Sequence, residues 1–149
     1  MRTRQRREHR GEKVTGGVMR RQAELSAGTI DYVDTGGHGT PIVLLPGLMM
    51  DASLWDDVIA DLAVDHRCVA PTLPLGAHRH PMHADADLSP DGVAALVEEL
   101  LERLHLTDVT LVGNDTGGAL VQLIAGRGAR RVGRIVLVSC DAFENFPPD

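Results

Sequence analysis

Between Val109 and Gly126 the chain reads VTLVGNDTGGALVQLIAG. A run of apolar and β-branched residues stops at Gly113, the polar triplet Asn114-Asp115-Thr116 follows, and Gly117-Gly118 opens a segment with helical apolar spacing. A strand that becomes a helix within so few residues leaves no room for side chains two positions either side of its apex, and glycine relieves the crowding. The G-x-D-x-G-G spacing therefore puts Asp115 at the apex, beside helix N–H groups and a dipole that favour an anion. On these residues alone two readings stand: a helix N-cap, or a reactive carboxylate held on a strained turn. A dinucleotide-binding turn fits worse, because GNDTGG lacks the G-x-G-x-x-G spacing.

The rest of the chain supplies the frame. AELSAGTIDYVDTGG has two alternating runs around Ala27-Gly28, the pattern of a hairpin. PIVLL (41–45) and RCVAP (67–71) read as short strands, the first of them buried on both faces. SLWDDVIADLA has helical spacing, with Leu54, Val58, Ile59 and Leu62 predicted on the buried face and Ser53 or Asp51 as cap. SPDGVAALVEELLERLHL starts a helix with Ser89 as N-cap and Pro90 in the first turn. His105 is expected to interact with that helix's C-terminus as a cation. RIVLVSC reads as a final strand and DAFENFPPD as a loop. A hairpin followed by strand–helix alternation predicts an α/β fold, a mostly parallel sheet of six strands flanked by helices. Ligands of such sheets bind beyond the C-terminal strand ends, which gathers 46–49, 71–75, 113–116 and 139–141 on one edge.

Charge divides the chain. Residues 1–21 carry eight Arg or Lys against two Glu, a net +6, and the remainder a net −12, within −6 for the whole. The expected organisation is a disordered basic tail over 1–21 and one domain over 22–149. The acidic body argues against nucleic acid as a partner. No apolar run approaches the ~20 residues of a membrane span. Cys68 and Cys140 lie in apolar runs and read as reduced core residues, which points to the cytoplasm. His78, His80 and His83 have spacings loosely like metal ligands, but a solvated loop is the better reading.

Taken together, the hairpin, the strand followed by Pro46-Gly47-Leu48, the SLW helix, the long helix and the GNDTGG turn resemble the α/β-hydrolase superfamily. The similarity is to its aspartate-nucleophile branch of haloalkane dehalogenases, haloacetate dehalogenases and epoxide hydrolases. It runs from about residue 23 to residue 148. The resemblance implies that Asp115 attacks an electrophilic carbon of a small-molecule substrate, that a covalent ester forms, and that no metal or organic cofactor is needed. It implies an oxyanion hole from the backbone N–H groups of Leu48 and Thr116, with Gly113, Gly117 and Gly118 allowing the tight turn. It offers Asp141, beyond the sixth strand, as the acid, with Glu144 second; an ordinary loop aspartate is the equal alternative.

Two departures qualify these expectations. Dehalogenases of this branch hold the halide with a tryptophan after the nucleophile and often an asparagine in the oxyanion loop; here those positions are Thr116 and Leu48. In the superfamily the order is nucleophile, acid, histidine, yet His9, His38, His66, His78, His80, His83 and His105 all precede Asp115. The chain is therefore expected to be the N-terminal half of such a hydrolase, lacking the cap and the last two strands, and inactive by itself. The alternative is a non-catalytic relative that binds a ligand or a partner. Self-association through the exposed sheet edge is expected.

Overall fold

A computed structural model describes residues 18–140. The hairpin forms as expected: β1 (Met19–Leu25) and β2 (Gly28–Asp34) pair antiparallel, from Leu25 against Gly28 to Met19 against Asp34. Gly28 follows the two-residue turn at φ +138°, a conformation L-residues rarely adopt. Because β1 starts at Met19, residues 19–21 are strand and not part of the expected tail; residues 1–17 lie outside the described residues.

Beyond the hairpin come β3 (Pro41–Leu45), a 3₁₀ turn (Ala52–Trp55) leading into α1 (Asp56–Leu62), β4 (Arg67–Pro71) and α2 (Pro90–Arg103). Then follow β5 (Val109–Asn114), α3 (Thr116–Gly126) and β6 (Val132–Val138). The sheet runs β1-β2-β4-β3-β5-β6. β4, β3, β5 and β6 are mutually parallel, and β2 meets β4 antiparallel. This is the mostly parallel six-stranded sheet predicted.

Strand alternation feeds two cores. Val43 and Leu45 of β3, Val69 of β4 and Leu111 of β5 face α2 and α3, where they meet Val97, Leu100, Leu120 and Ile124. Ile42, Leu44, Cys68, Ala70 and Val112 face the other way, onto Ala52, Trp55 and Ile59. Burial on both faces explains the uninterrupted apolar runs of the central strands. Burial, together with the nearby charge of Asp34, pushes the Cys68 thiol up to about 11, so it stays protonated and packs as an apolar side chain. Both cysteines are free.

Asp51, one of the two caps expected, serves as such: its carboxylate accepts the Ser53 N–H at 2.9 Å. Two local expectations need correction. The helix that Asp51 caps begins as a 3₁₀ turn, so the inward face is Ala52, Trp55 and Ile59, while Leu54 and Val58 are exposed. The 72–88 segment is also more than a solvated loop. The His83 N–H donates to the Ala27 carbonyl at 2.9 Å, and Arg79 and His80 reach Asp31 of β2 at 3.0 and 3.2 Å. Burial works against the Asp31 charge, but the bonds from Arg79, His80 and Gln22 outweigh it and hold its carboxyl below the usual range. No cluster of three or more His, Cys, Asp or Glu suited to a metal occurs among the described residues. None of their helices is long and apolar enough to cross a membrane.

Candidate active site

Two parallel neighbours, β3 and β5, end side by side, with Leu45 in register with Gly113. The chain leaves β3 through Pro46 and Gly47 and leaves β5 through Asn114 and Asp115, so the two exits face each other. Asp115 has φ +54° and ψ −125°, outside the allowed regions for an L-residue and a sign that its surroundings impose the conformation. Its N–H donates to the Ser139 carbonyl at 3.2 Å, beyond the end of β6, and its own carbonyl accepts the Gly118 N–H at 2.9 Å. The Asn114 side chain donates to the Val138 carbonyl at 3.0 Å, tying the turn to the neighbouring strand.

The glycines are explained by close approach. A Cβ on Gly113 would meet the backbone of Gly117, and one on Gly117 would lie 2.5 Å from the Leu45 carbonyl oxygen and 2.6 Å from that of Pro46. Gly118 leaves space for the Cys140 side chain, and Gly47 for the Asp115 carboxylate itself, whose Oδ2 would stand 2.6 Å from a Cβ there. The last of these was not visible as a constraint in the sequence, because it arises between Gly47 and Asp115, which lie far apart along the chain.

The Asp115 side chain does not cap α3. Its Oδ2 accepts the Leu48 backbone N–H at 3.2 Å and the Thr116 hydroxyl at 3.3 Å. The N–H of Thr116, at the first residue of α3, is one of the donors that a helix leaves unpaired by its own turns. Asp115 is exposed, and so are Leu48, Met49 and Met50. Met49 is held by its N–H to the Leu75 carbonyl at 2.9 Å, with φ +62°. A carboxylate is thus presented openly beside donors aimed at one of its two oxygens. The structure brings together Asp115, Leu48, Thr116 and the three glycines 113, 117 and 118. The proposed acid Asp141, and Glu144, lie outside the described residues. No histidine among the described residues bonds the Asp115 carboxylate; His80 and His83 point to Asp31 and the Ser26 carbonyl.

This strand-to-helix turn lies at the C-terminal edge of the parallel strands, where ligands of open α/β sheets bind. Residues 40–148 match the family model of the alpha/beta hydrolase fold. The chain belongs to that family. It is 31 % identical over 122 residues to a haloalkane dehalogenase of Mesorhizobium japonicum, covering 81 % of this chain and 38 % of that protein. It is 34 % identical over 115 residues to haloalkane dehalogenase 2 of Mycobacterium tuberculosis, covering 76 % and 39 %. Among solved structures it resembles the epoxide hydrolase CorEH, with TM-score 0.73 and 28 % identity over 85 % of this chain and 46 % of that one. The chain spans about two-fifths of the length of the curated dehalogenases it matches.

Proposed function

We propose that this chain carries the nucleophile half of a hydrolase that works through a covalent aspartyl ester, with Asp115 as nucleophile and a small epoxide or haloalkane as substrate. One observation carries the proposal: Asp115 sits at φ +54° with its carboxylate off the backbone N–H groups of the helix and bonded instead by the Leu48 N–H and the Thr116 hydroxyl. A capping aspartate would turn its oxygens onto the N–H groups two or three residues ahead. The similarity to haloalkane dehalogenases and an epoxide hydrolase supports the substrate class. Thr116 and Leu48 stand where a halide-binding tryptophan and asparagine would be, which favours an electrophile whose leaving group needs no such cradle.

The chemistry follows from the two oxygens. Oδ1, which receives no donor among the described residues, attacks the electrophilic carbon, and Oδ2 becomes the ester carbonyl oxygen beside the Leu48 N–H. Hydrolysis then needs a base to take a proton from water, worth about 10²–10⁴-fold. Among the described residues no histidine bonds Asp115; His80 and His83 bond Asp31 and the Ser26 carbonyl instead. A second reading consistent with those partners is a non-catalytic relative that binds a ligand or a partner. The chain is also proposed to self-associate through β6.

Incubation of the 149-residue chain with styrene oxide separates these readings. The expected result is one adduct by intact mass, mapped to the peptide bearing Asp115 and absent in Asp115→Asn, without multiple turnovers. Diol released in many equivalents, or labelling that survives Asp115→Asn, overturns the proposal.

A further inference from the structure

We propose that the Thr116 hydroxyl is a side-chain oxyanion donor to Asp115, so that the step it serves is ester hydrolysis and not ester formation. The inference rests on the nucleophile reading above and adds a residue to it. Among the described residues, two donors bond the Asp115 carboxylate, the Leu48 N–H at 3.2 Å and the Thr116 hydroxyl at 3.3 Å, and both go to Oδ2. None goes to Oδ1.

That asymmetry assigns the steps. In formation, a lone pair of Oδ1 makes the bond to the epoxide carbon. The C–O bond of the ring breaks, and its electron pair stays on the epoxide oxygen, which takes a proton from water. Charge leaves the carboxylate during this step, so donors on Oδ2 do not accelerate it; they keep Oδ1 turned outward. In hydrolysis, hydroxide adds to Cγ and the C=O electron pair moves onto Oδ2. The tetrahedral intermediate then collapses, expelling the alkoxide and leaving Asp115 as the carboxylic acid, whose proton passes to the alkoxide and so restores the carboxylate. Negative charge grows on Oδ2 in this step alone. A donor already in place stabilises that charge without reorganisation, and a hydrogen bond to an oxyanion is shorter and stronger than one to a neutral carbonyl. The 3.3 Å separation is long for an O–H···O bond, which places the Thr116 contribution below the 10²–10³-fold of a well-placed donor, at about tenfold.

The test separates formation from decay and supplies hydroxide in place of any protein base. The 149-residue chain, Thr116→Val and Thr116→Ser are labelled with styrene oxide, freed of reagent, and moved to mildly alkaline buffer in heavy-oxygen water. Intact mass follows both the rise and the loss of the adduct. Heavy oxygen in the Asp115 peptide identifies attack at Cγ. The expected result is formation within about threefold of the parent in both variants, decay about tenfold slower in Thr116→Val, and decay restored in Thr116→Ser. Thr116→Ala gives the same comparison should the valine variant not fold. Equal slowing of formation and decay would assign Thr116 a structural role, and unchanged decay would assign it none; either overturns the inference while leaving Asp115 as nucleophile. A parent chain that forms no adduct at Asp115 overturns the nucleophile reading and this inference with it.

Discussion

His105 stands just past the end of α2 with φ +53°. Its N–H donates to the Glu102 carbonyl and the N–H of Leu106 to that of Leu101, both at 2.9 Å. The pair of bonds, with Leu106 buried beside Leu101, is a Schellman ending whose left-handed residue is ordinarily glycine. Beside its expected place at the end of the helix, His105 serves by its backbone conformation. Histidine is enriched among non-glycine residues of that region, but no spacing announces which residue will occupy it. Asp115, at a similar φ, was legible because glycines on both sides betray the crowding. Since the left-handed region costs a side-chain-bearing residue energy that glycine is spared, His105→Gly is expected to stabilise the fold by about 1 kcal/mol. Urea or thermal melts of the two proteins check this; a loss of stability would mean that the imidazole makes a contribution larger than its backbone penalty.

Asp34 and Arg67 join the end of β2 to the start of β4. The guanidinium meets the carboxylate at 3.1 and 2.8 Å, the Gly36 N–H adds a bond at 2.9 Å, and Asp34 is 4 % exposed. Burial pushes the Asp34 carboxyl upward, but the Arg67 and Gly36 bonds outweigh it, so its pKa is lowered on balance. A carboxyl with a folded value below its unfolded one, about 3.9, adds stability that is present above that pH and disappears as pH falls through the folded value. Asp34→Asn is therefore expected to destabilise at neutral pH, toward the lower end of ~3–5 kcal/mol because Arg67 keeps some solvent contact. The gap from the parent should narrow as pH drops below the ordinary carboxylate value. Melting both proteins across an acid pH series measures it, and a gap independent of pH would sink the assignment. This pair was not legible in the sequence, since 33 residues separate its members. The face of α1 was judged correctly only in part, for a more local reason. The helix is entered through a 3₁₀ turn, with fewer residues per turn than an α-helix, so Ile59 and Leu62 face the core as expected while Leu54 and Val58 do not; α2, α-helical throughout, keeps Val93, Leu96, Val97, Leu100 and Leu101 buried.

At the scale of the molecule, the order of strands and helices and the gathering of the site at one sheet edge were legible, because strand–helix alternation on a parallel sheet allows few arrangements. The anchoring of 72–88 across the hairpin was not, since it depends on polar contacts whose partners periodicity does not specify. The sheet itself has an unequal pair of edges. β1 exposes Arg20, Arg21 and Gln22, polar residues that discourage pairing with another sheet. β6 exposes Ile135, Val136, Leu137 and Val138, each 39–44 % accessible, and bonds a neighbour only on the β5 side among the described residues. Successive residues of a strand point to opposite faces, so among the described residues both faces of β6 present exposed apolar side chains, beside an edge of backbone donors and acceptors to which none of those residues pairs as a strand. Such an edge is a template for a further strand. The 149-residue chain is expected to elute from a size-exclusion column as oligomers whose size rises with concentration. Val136→Lys, which puts a charge on that edge, should shift the population toward monomer. Because Val136 is already exposed, the same change should alter folding stability by no more than about 0.5 kcal/mol. A parent that remains monomeric over the whole concentration range, melting cooperatively, would show that β6 is protected by something other than a second copy of the chain.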